Sequence, residues 1–343
     1  MDQSITKCSI FMFLVSACEH PSSEYHELTI PSGKIESNDT GNPLTYSTQT
    51  IESQRADDGF GSAVTVGGGH VWVGAPHGET ATVYKISGTN QSAVLTGPGR
   101  LGSHLAWTTQ GLWIAAPLAS DGLGGILNAD GEFIIPGTGG TGISITAGPP
   151  ATYAWEGGWT DSDGETFHLP QRPTALHVRA GEVGAGMAIG SIALKTKSQE
   201  WLRPENHDEA GFALASADIN ADGTPDWFVG APGSNTVYGL DGSSLETLQT
   251  WNGVGRFGAA IAVCDLDGNG TSDLAIGAPQ ANQRGTLHIF MDLGTSPSHN
   301  WSGHTEGSGL GFAVDCNDGV LVAGAPGRAD VQGRAIIIQA GND

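Results

Sequence analysis

The chain is short of positive charge. Fourteen Lys and Arg stand against 36 Asp and Glu, a formal net charge of −22, which opposes binding to nucleic acid or to anionic headgroups and favours cations and solubility. It is also short of catalytic signatures. There is no G-x-S-x-G elbow, no H-E-x-x-H, no P-loop and no CxxC pair, and nothing pairs a nucleophile with a base. The 11 histidines show no metal-ligand spacing and read as surface or turn residues. Only one apolar stretch stands out, SIFMFLVSA near the N-terminus, and it is too short to span a bilayer. No long helical periodicity is present. With 53 glycines and 38% hydrophobic residues, many short strands joined by tight turns are expected, and the class is all-β.

The N-terminus reads as export machinery. Lys7, the apolar stretch and the small residues before a cysteine suit a secretory signal, and Val15-Ser16-Ala17-Cys18 resembles the lipobox of bacterial lipoproteins. Residues 1–17 are then a signal peptide and Cys18 the site of lipidation; an ordinary signal peptide is the alternative. Residues 18–43, rich in Ser, Pro and Glu, read as a flexible tether. The expected location is the cell envelope, lipid-anchored at the outer membrane or cell surface, or else secreted. Of the four cysteines, Cys8 leaves with the signal. Cys264 and Cys316 remain, either as a disulfide or as two separate thiols.

Two acidic strings carry the chemistry. CDLDGNGTSDLAIGAP (264–279) places Asp265, Asp267, Asn269 and Asp273 within nine positions, and ADINADGTPDWFVGAP repeats the pattern with Asp218, Asn220, Asp222 and Asp226. Carboxylates so close repel one another unless a cation sits among them. Calcium takes six to eight oxygen ligands in irregular geometry, so oxygens at loop positions 1, 3, 5 and 9, with the position-7 backbone carbonyls of Thr224 and Thr271, predict two Ca2+ sites. Gly223 and Gly270 supply the sharp turn. Position 12 is Val229 or Ile276 rather than Glu, and the flanks are short and β-branched. These are therefore clasps on β-hairpins and not EF-hands.

Internal repeats set the architecture. FGSAVTVGGGHVWVGAP (60–76) aligns without gaps on LGSHLAWTTQGLWIAAP (101–117) and LGFAVDCNDGVLVAGAP (310–326). The two acidic strings share both ends of this unit and insert the metal loop between them. Degenerate copies start at Thr141 and Arg172, making seven units. Further strands follow each unit, as at 81–86, 235–240, 285–290 and 334–339. Four strands per unit around an axis is a β-propeller, with seven blades expected over 44–343 and six as the alternative. The last unit lacks a fourth strand, which PLTYSTQTI (43–51) supplies from the N-terminus.

The Phe-Gly … Gly-Ala-Pro units with DxDxDG insertions resemble FG-GAP repeats, the units of the integrin α-subunit propeller and of many bacterial secreted proteins. That resemblance implies metal loops between the first and second strands of a blade, calcium in them, and a partner face opposite. It implicates Asp218, Asn220, Asp222, Thr224, Asp226, Asp265, Asp267, Asn269, Thr271 and Asp273. The contact loops would be His77 to Thr80, Leu118 to Gly122, Ser234 to Asn235, Gln280 to Arg284 and Arg328 to Val331. The expected function is a calcium-stabilised scaffold, not an enzyme, binding an unknown protein or glycan partner. The membrane enters only through the lipid anchor. The alternative is a polysaccharide lyase or hydrolase with converging titratable side chains at the propeller mouth. Asp161, Asn128 and Asp241 read as turn residues; the nine tryptophans suit blade packing, with exposure of Trp159, read into the loop after a second strand, as the alternative.

Overall fold

The computed structural model describes residues 46–78, 80–137, 141–142, 144–146, 151–169, 172–179, 181–187, 191–194, 200–202, 208–328 and 330–340. The expected signal peptide and tether, with Cys18, lie outside the described residues. All described residues belong to one unit, Pro31–Asp343. Among them no helix is long and apolar enough to cross a membrane.

The fold is an all-β propeller. Its strands form seven four-stranded antiparallel sheets. In chain order their first strands are Ala63–Gly67, Leu105–Thr108, Ile145–Thr146, Pro173–Arg179, Ala213–Ala217, Ala260–Cys264 and Ala313–Asn317. Each first strand packs on the first strand of the next sheet, and the last packs back on Ala63–Gly67, so the ring closes. Six of the sheets have side chains described on all four strands; the sheet that begins at Pro173 has them only on its inner two. The strand Thr166–His168 completes the unit that starts at Thr141.

The seventh sheet closes as the repeat pattern requires. Tyr46–Ala56 pairs antiparallel with Gln332–Ala340, from Tyr46 opposite Ala340 to Ala56 opposite Gln332. The N-terminal strand therefore lies at the outer edge of the sheet built from the C-terminus. It extends beyond the expected stretch, its pairing running past a bulge from Glu52 opposite Arg334 to Ala56 opposite Gln332, with the Glu52 and Arg334 side chains 2.7 Å apart.

The glycines of the repeat signature do the packing between sheets. In the Phe-Gly step the glycine has positive φ, between 77° and 93° at Gly61, Gly102, Gly211, Gly258 and Gly311, which an L side chain rarely tolerates. The glycine of Gly-Ala-Pro meets the Phe-Gly step of the next sheet. A Cβ on Gly74 would fall 2.0 Å from the Gly102 carbonyl oxygen, on Gly230 2.1 Å from that of Gly258, and on Gly277 2.0 Å from that of Gly311. The last repeat meets the first in the same way, with Gly324 against the Gly61 carbonyl at 1.9 Å. The signature is thus a docking rule between neighbouring sheets, applied around the ring. At Ala115, where alanine replaces glycine, the next unit offers only Gly142, whose own added Cβ would lie 3.2 Å from the Ala115 Cβ.

Large aromatic side chains fill the space between sheets. Phe228, Trp251, Phe257 and Phe290 share a core with Ile261, Leu274 and Ile276. Trp159 belongs to this category, which decides against the exposed-loop alternative: it sits in the strand Gly158–Asp161, is 1% exposed, and stacks on Phe167 with ring centroids 5.4 Å apart. His299 corrects the reading of the histidines as surface groups, being buried in the strand His299–Ser302.

Candidate metal loops and the opposite face

Chain direction gives the ring two unlike ends. At one end the first strands finish and the 218–225 and 265–272 loops turn back into the second strands Asp226–Ala231 and Asp273–Ala278. At the other end the first strands begin, next to the loops that follow each Gly-Ala-Pro.

The two acidic loops share one hydrogen-bond scheme. Position 1 accepts from the backbone five residues on, Asp218 Oδ2 from Gly223 N–H and Asp265 Oδ2 from Gly270 N–H, both at 2.8 Å. Position 3 accepts from position 5, with Asn220 Oδ1 taking the Asp222 N–H at 3.0 Å and Asp267 Oδ1 the Asn269 N–H at 3.1 Å. Position 5 accepts from position 7, as Asp222 Oδ1 does from Thr224 N–H and Asn269 Oδ1 from Thr271 N–H, each 2.7 Å. Position 9 is buried and reaches back to position 2: Asp226 Oδ2 to Ile219 N–H and Asp273 Oδ2 to Leu266 N–H, each 2.8 Å. The turns are made by Gly223 (φ 83°) and Gly270 (φ 89°). Backbone donors therefore curl each set of oxygens over its own loop.

The donor set fits a hard cation best in the second loop. One carboxylate oxygen each from Asp265, Asp267 and Asp273 lie within 4.8 Å of one another. Asp218, Asp222 and Asp226 do not form such a group among the described residues. Burial, the main cause, together with the nearby charges of Asp267 and Asp292, pushes the Asp273 carboxyl above the usual carboxylate range, against the hydrogen bonds from Leu266 and Asp292. A carboxylate offers about four acceptor positions, so oxygens already holding backbone N–H groups keep capacity for an ion.

A fifth side chain beside each loop escaped the sequence reading. The turn between third and fourth strands places Asp241 beside Asn220, whose Nδ2 lies 3.4 Å from Asp241 Oδ2, and places Asp292 beside Asn269, at 2.9 Å. Asp241 is a turn residue as expected, accepting from Ser243 and Ser244 N–H, yet it also borders the acidic loop. The signal was weak because Asp241 follows Asp226 by 15 positions whereas Asp292 follows Asp273 by 19. Asp161 and Asn128 are turn residues as expected, each accepting two backbone N–H groups.

The other end carries apolar and basic side chains. Phe212 and Phe312, each directly after a Phe-Gly-type glycine, are 41% and 49% exposed, and Val254, Leu118 and Leu123 are exposed at the same end. The residue before each Phe-Gly-type step has positive φ, at Gly59, Arg100, Glu209, Arg256 and Gly309. Of these, Arg256 pairs with Glu209 at 2.5 Å and lies over the Phe212 ring, 5.3 Å from its centroid. Several expected contact loops are partly structural: Asn235 Oδ1 accepts from Arg256 N–H at 2.7 Å, and the 118–122 segment contains the short helical turn Ala119–Gly122. His77 and Gln280 are exposed. Partial desolvation by the surrounding protein, then the Arg100 charge, hold His77 below its ordinary pKa despite its exposed surface, and burial raises Asp58, whose carboxylate accepts from Ser53 Oγ–H and Phe60 N–H.

Comparison with known proteins agrees with this fold. Residues 257–290 match the family model of the FG-GAP repeat. No curated protein matches the chain. Among solved structures, a streptogramin B lyase superposes with a TM-score of 0.64 at 14% identity, covering 86% of this chain and 98% of that one. The WD40 β-propeller domain of Doa1 gives 0.61 at 16% identity, covering 84% and 95%. At these identities the likeness is one of fold alone.

Proposed function

We propose that this chain is a calcium-stabilised FG-GAP propeller, anchored to the cell envelope through Cys18, that binds a protein or glycan partner at the end opposite its acidic loops. Calcium at the two loops would be held by Asp218, Asn220, Asp222, Asp226 and the Thr224 carbonyl, and by Asp265, Asp267, Asn269, Asp273 and the Thr271 carbonyl. Its work there is to neutralise carboxylates that otherwise repel, clamping the hairpin. The observation that carries the reading is the exposure of Phe212, Phe312, Val254, Leu118 and Leu123 at one end of the ring, since grouped exposed apolar residues mark interaction sites. The test is a glycan and protein-partner screen of the mature chain with and without calcium, repeated with Phe212→Ser and Phe312→Ser. Loss of the captured partner in the double variant supports the reading; full retention sinks it.

One observation favours the alternative of a polysaccharide-active enzyme. Asp58, His77, Arg100 and His104 gather at the loop end, three of them with displaced pKa values. Glycoside hydrolysis normally uses two carboxyl groups flanking the bond, and Asp58 is buried and engaged by Ser53 and Phe60. The cluster suits binding better than bond cleavage.

A further inference from the structure

We propose that the Cys264–Cys316 disulfide is a positioning device for the second acidic loop, holding its oxygens ready for a calcium ion, so that this loop's affinity depends on the bond while the first loop's does not. This deepens the calcium part of the reading above and rests on it.

The bond stands at the base of the loop. Cys264 ends the first strand of the sixth sheet, directly before Asp265 at position 1, and it pairs across the hairpin with Asp273 at position 9. Its partner Cys316, in the first strand of the seventh sheet, has its Cα 5.9 Å away. Position 2 is caught in the same contact, for Leu266 is buried and shares a cluster with Cys264, Cys316 and Leu321. A Cβ on Gly319, in the turn that follows Cys316, would meet the Leu266 carbonyl oxygen at 3.6 Å, ordinary van der Waals contact. The Leu266 N–H in turn donates to Asp273 Oδ2 at 2.8 Å, and the Asp292 N–H to Asp273 Oδ1 at 2.9 Å. Positions 1, 2 and 9 are thus tied to a residue covalently fixed to the next sheet.

The repeat supplies the comparison. Ala217 pairs with Asp226 as Cys264 pairs with Asp273, and Val263 follows Gly258 by five residues as Cys316 follows Gly311. Ala217, Ile219 and Val263 share a cluster just as Cys264, Leu266 and Cys316 do. The same junction is therefore packed at the first loop and covalent at the second. The oxygens differ too: among the described residues, three carboxylates converge within 4.8 Å at the second loop and not at the first. The first loop takes its support from the preceding sheet. Arg179, which ends the first strand there, donates to the Pro225 and Gly242 carbonyls, and the Gly242 N–H donates to Asp226 Oδ1 at 2.8 Å. None of those bonds runs through the disulfide.

The physical effect is preorganisation. Carboxylates spread apart when the base of their loop is free, and gathering them again opposes binding; a bond that fixes the base removes part of that opposition. Groups that orient metal ligands without touching the ion are typically worth about 10–100-fold in affinity.

The test is titration with calcium chloride by calorimetry, well below the melting temperature, on chains with one loop silenced. Asp218→Ala with Asp222→Ala leaves the second loop, and Asp265→Ala with Asp267→Ala leaves the first. Each chain is titrated oxidised, after reduction with a phosphine, and with Cys264→Ala and Cys316→Ala, the former matching the alanine found before the first loop. Loss of the bond by either route should weaken the second loop on the order of tenfold or more and leave the first unchanged. The same affinity at the second loop with and without the bond overturns the proposal and leaves the calcium reading standing. Equal weakening of both loops also overturns it, since that marks general loosening of the fold. No calcium binding at the second loop of the oxidised chain removes the calcium reading there, and this inference with it.

Discussion

Cys264 and Cys316 form a disulfide between the first strands of the sixth and seventh sheets, with Cα atoms 5.9 Å apart and 52 positions between them in sequence. The bond sits one residue before Asp265, and it crosses the junction next to the one where the N-terminal strand completes the ring. A cross-link acts chiefly by restricting the unfolded chain. For a loop of this length the chain-entropy relation gives about 4 kcal/mol at 25 °C. For a large domain each kcal/mol shifts the melting temperature by roughly 2–4 °C, so reduction should lower it by on the order of 10 °C. The assay is thermal and urea unfolding of the protein with and without a phosphine reductant, alongside Cys264→Ala with Cys316→Ala. The reduced protein and the double variant should unfold together, well below the oxidised one. Coincident midpoints for oxidised and reduced protein, or alkylation of Cys264 and Cys316 without reductant, would refute the reasoning.

Three further outcomes are expected. Calcium should raise the melting temperature and EDTA lower it, by about 2.7 kcal/mol of stability at a hundredfold excess over the dissociation constant, and Asp265→Ala should remove the part owed to the second loop; scanning calorimetry at graded calcium reads this. Gly277→Ala should cost about 1–3 kcal/mol, because its Cβ would lie 2.0 Å from the Gly311 carbonyl oxygen, whereas alanine at Gly268, with open space around it, avoids that clash and pays only for its positive φ; urea midpoints separate the two. Burial first and Arg179 second hold His177 at about 4, so acid protonates the unfolded imidazole before the folded one. Stability is therefore lost as pH falls from about 6.5 to about 4, by on the order of 3 kcal/mol in full, and His177→Gln should flatten that part of the profile of unfolding free energy against pH.

Much of the architecture was legible because the repeat states its own geometry. Phe-Gly and Gly-Ala-Pro mark the start of a first strand and the end of a second, and both glycines are required by backbone contact between sheets. The acidic loops were legible because their oxygens are local: every backbone bond that shapes the 265–273 loop, apart from the one from Asp292, comes from within it. What stayed hidden depends on tertiary proximity. Asp241 and Asp292 arrive from another turn at unequal spacing. Trp159 looked like a loop residue because its unit is degenerate, and its burial comes from Phe167 across the sheet and from the neighbouring unit. The pairing of Cys264 with Cys316 required knowing that consecutive first strands are neighbours.

The two ends of the ring carry different loops. Arg100, Arg172, Arg256, Arg284 and Arg328 all lie in loops at the end where the first strands begin, while the acidic loops, Asp241 and Asp292 lie at the other. The chain enters the fold at the acidic end: Tyr46, the first residue of the N-terminal strand, donates its hydroxyl hydrogen to Met291 Sδ at 3.5 Å, next to Asp292. A tether from a lipidated Cys18 would therefore reach the ring at the metal-loop end and leave the arginine and phenylalanine end turned outward. An anionic membrane repels carboxylates, and calcium bound in the loops would lower that repulsion. The arrangement predicts a directional display: proteolysis or antibody labelling on intact cells should reach Phe212 and Phe312 more readily than the 265–273 loop. Equal access to both ends would separate the anchor from the orientation, and preferential access to the metal loops would contradict both.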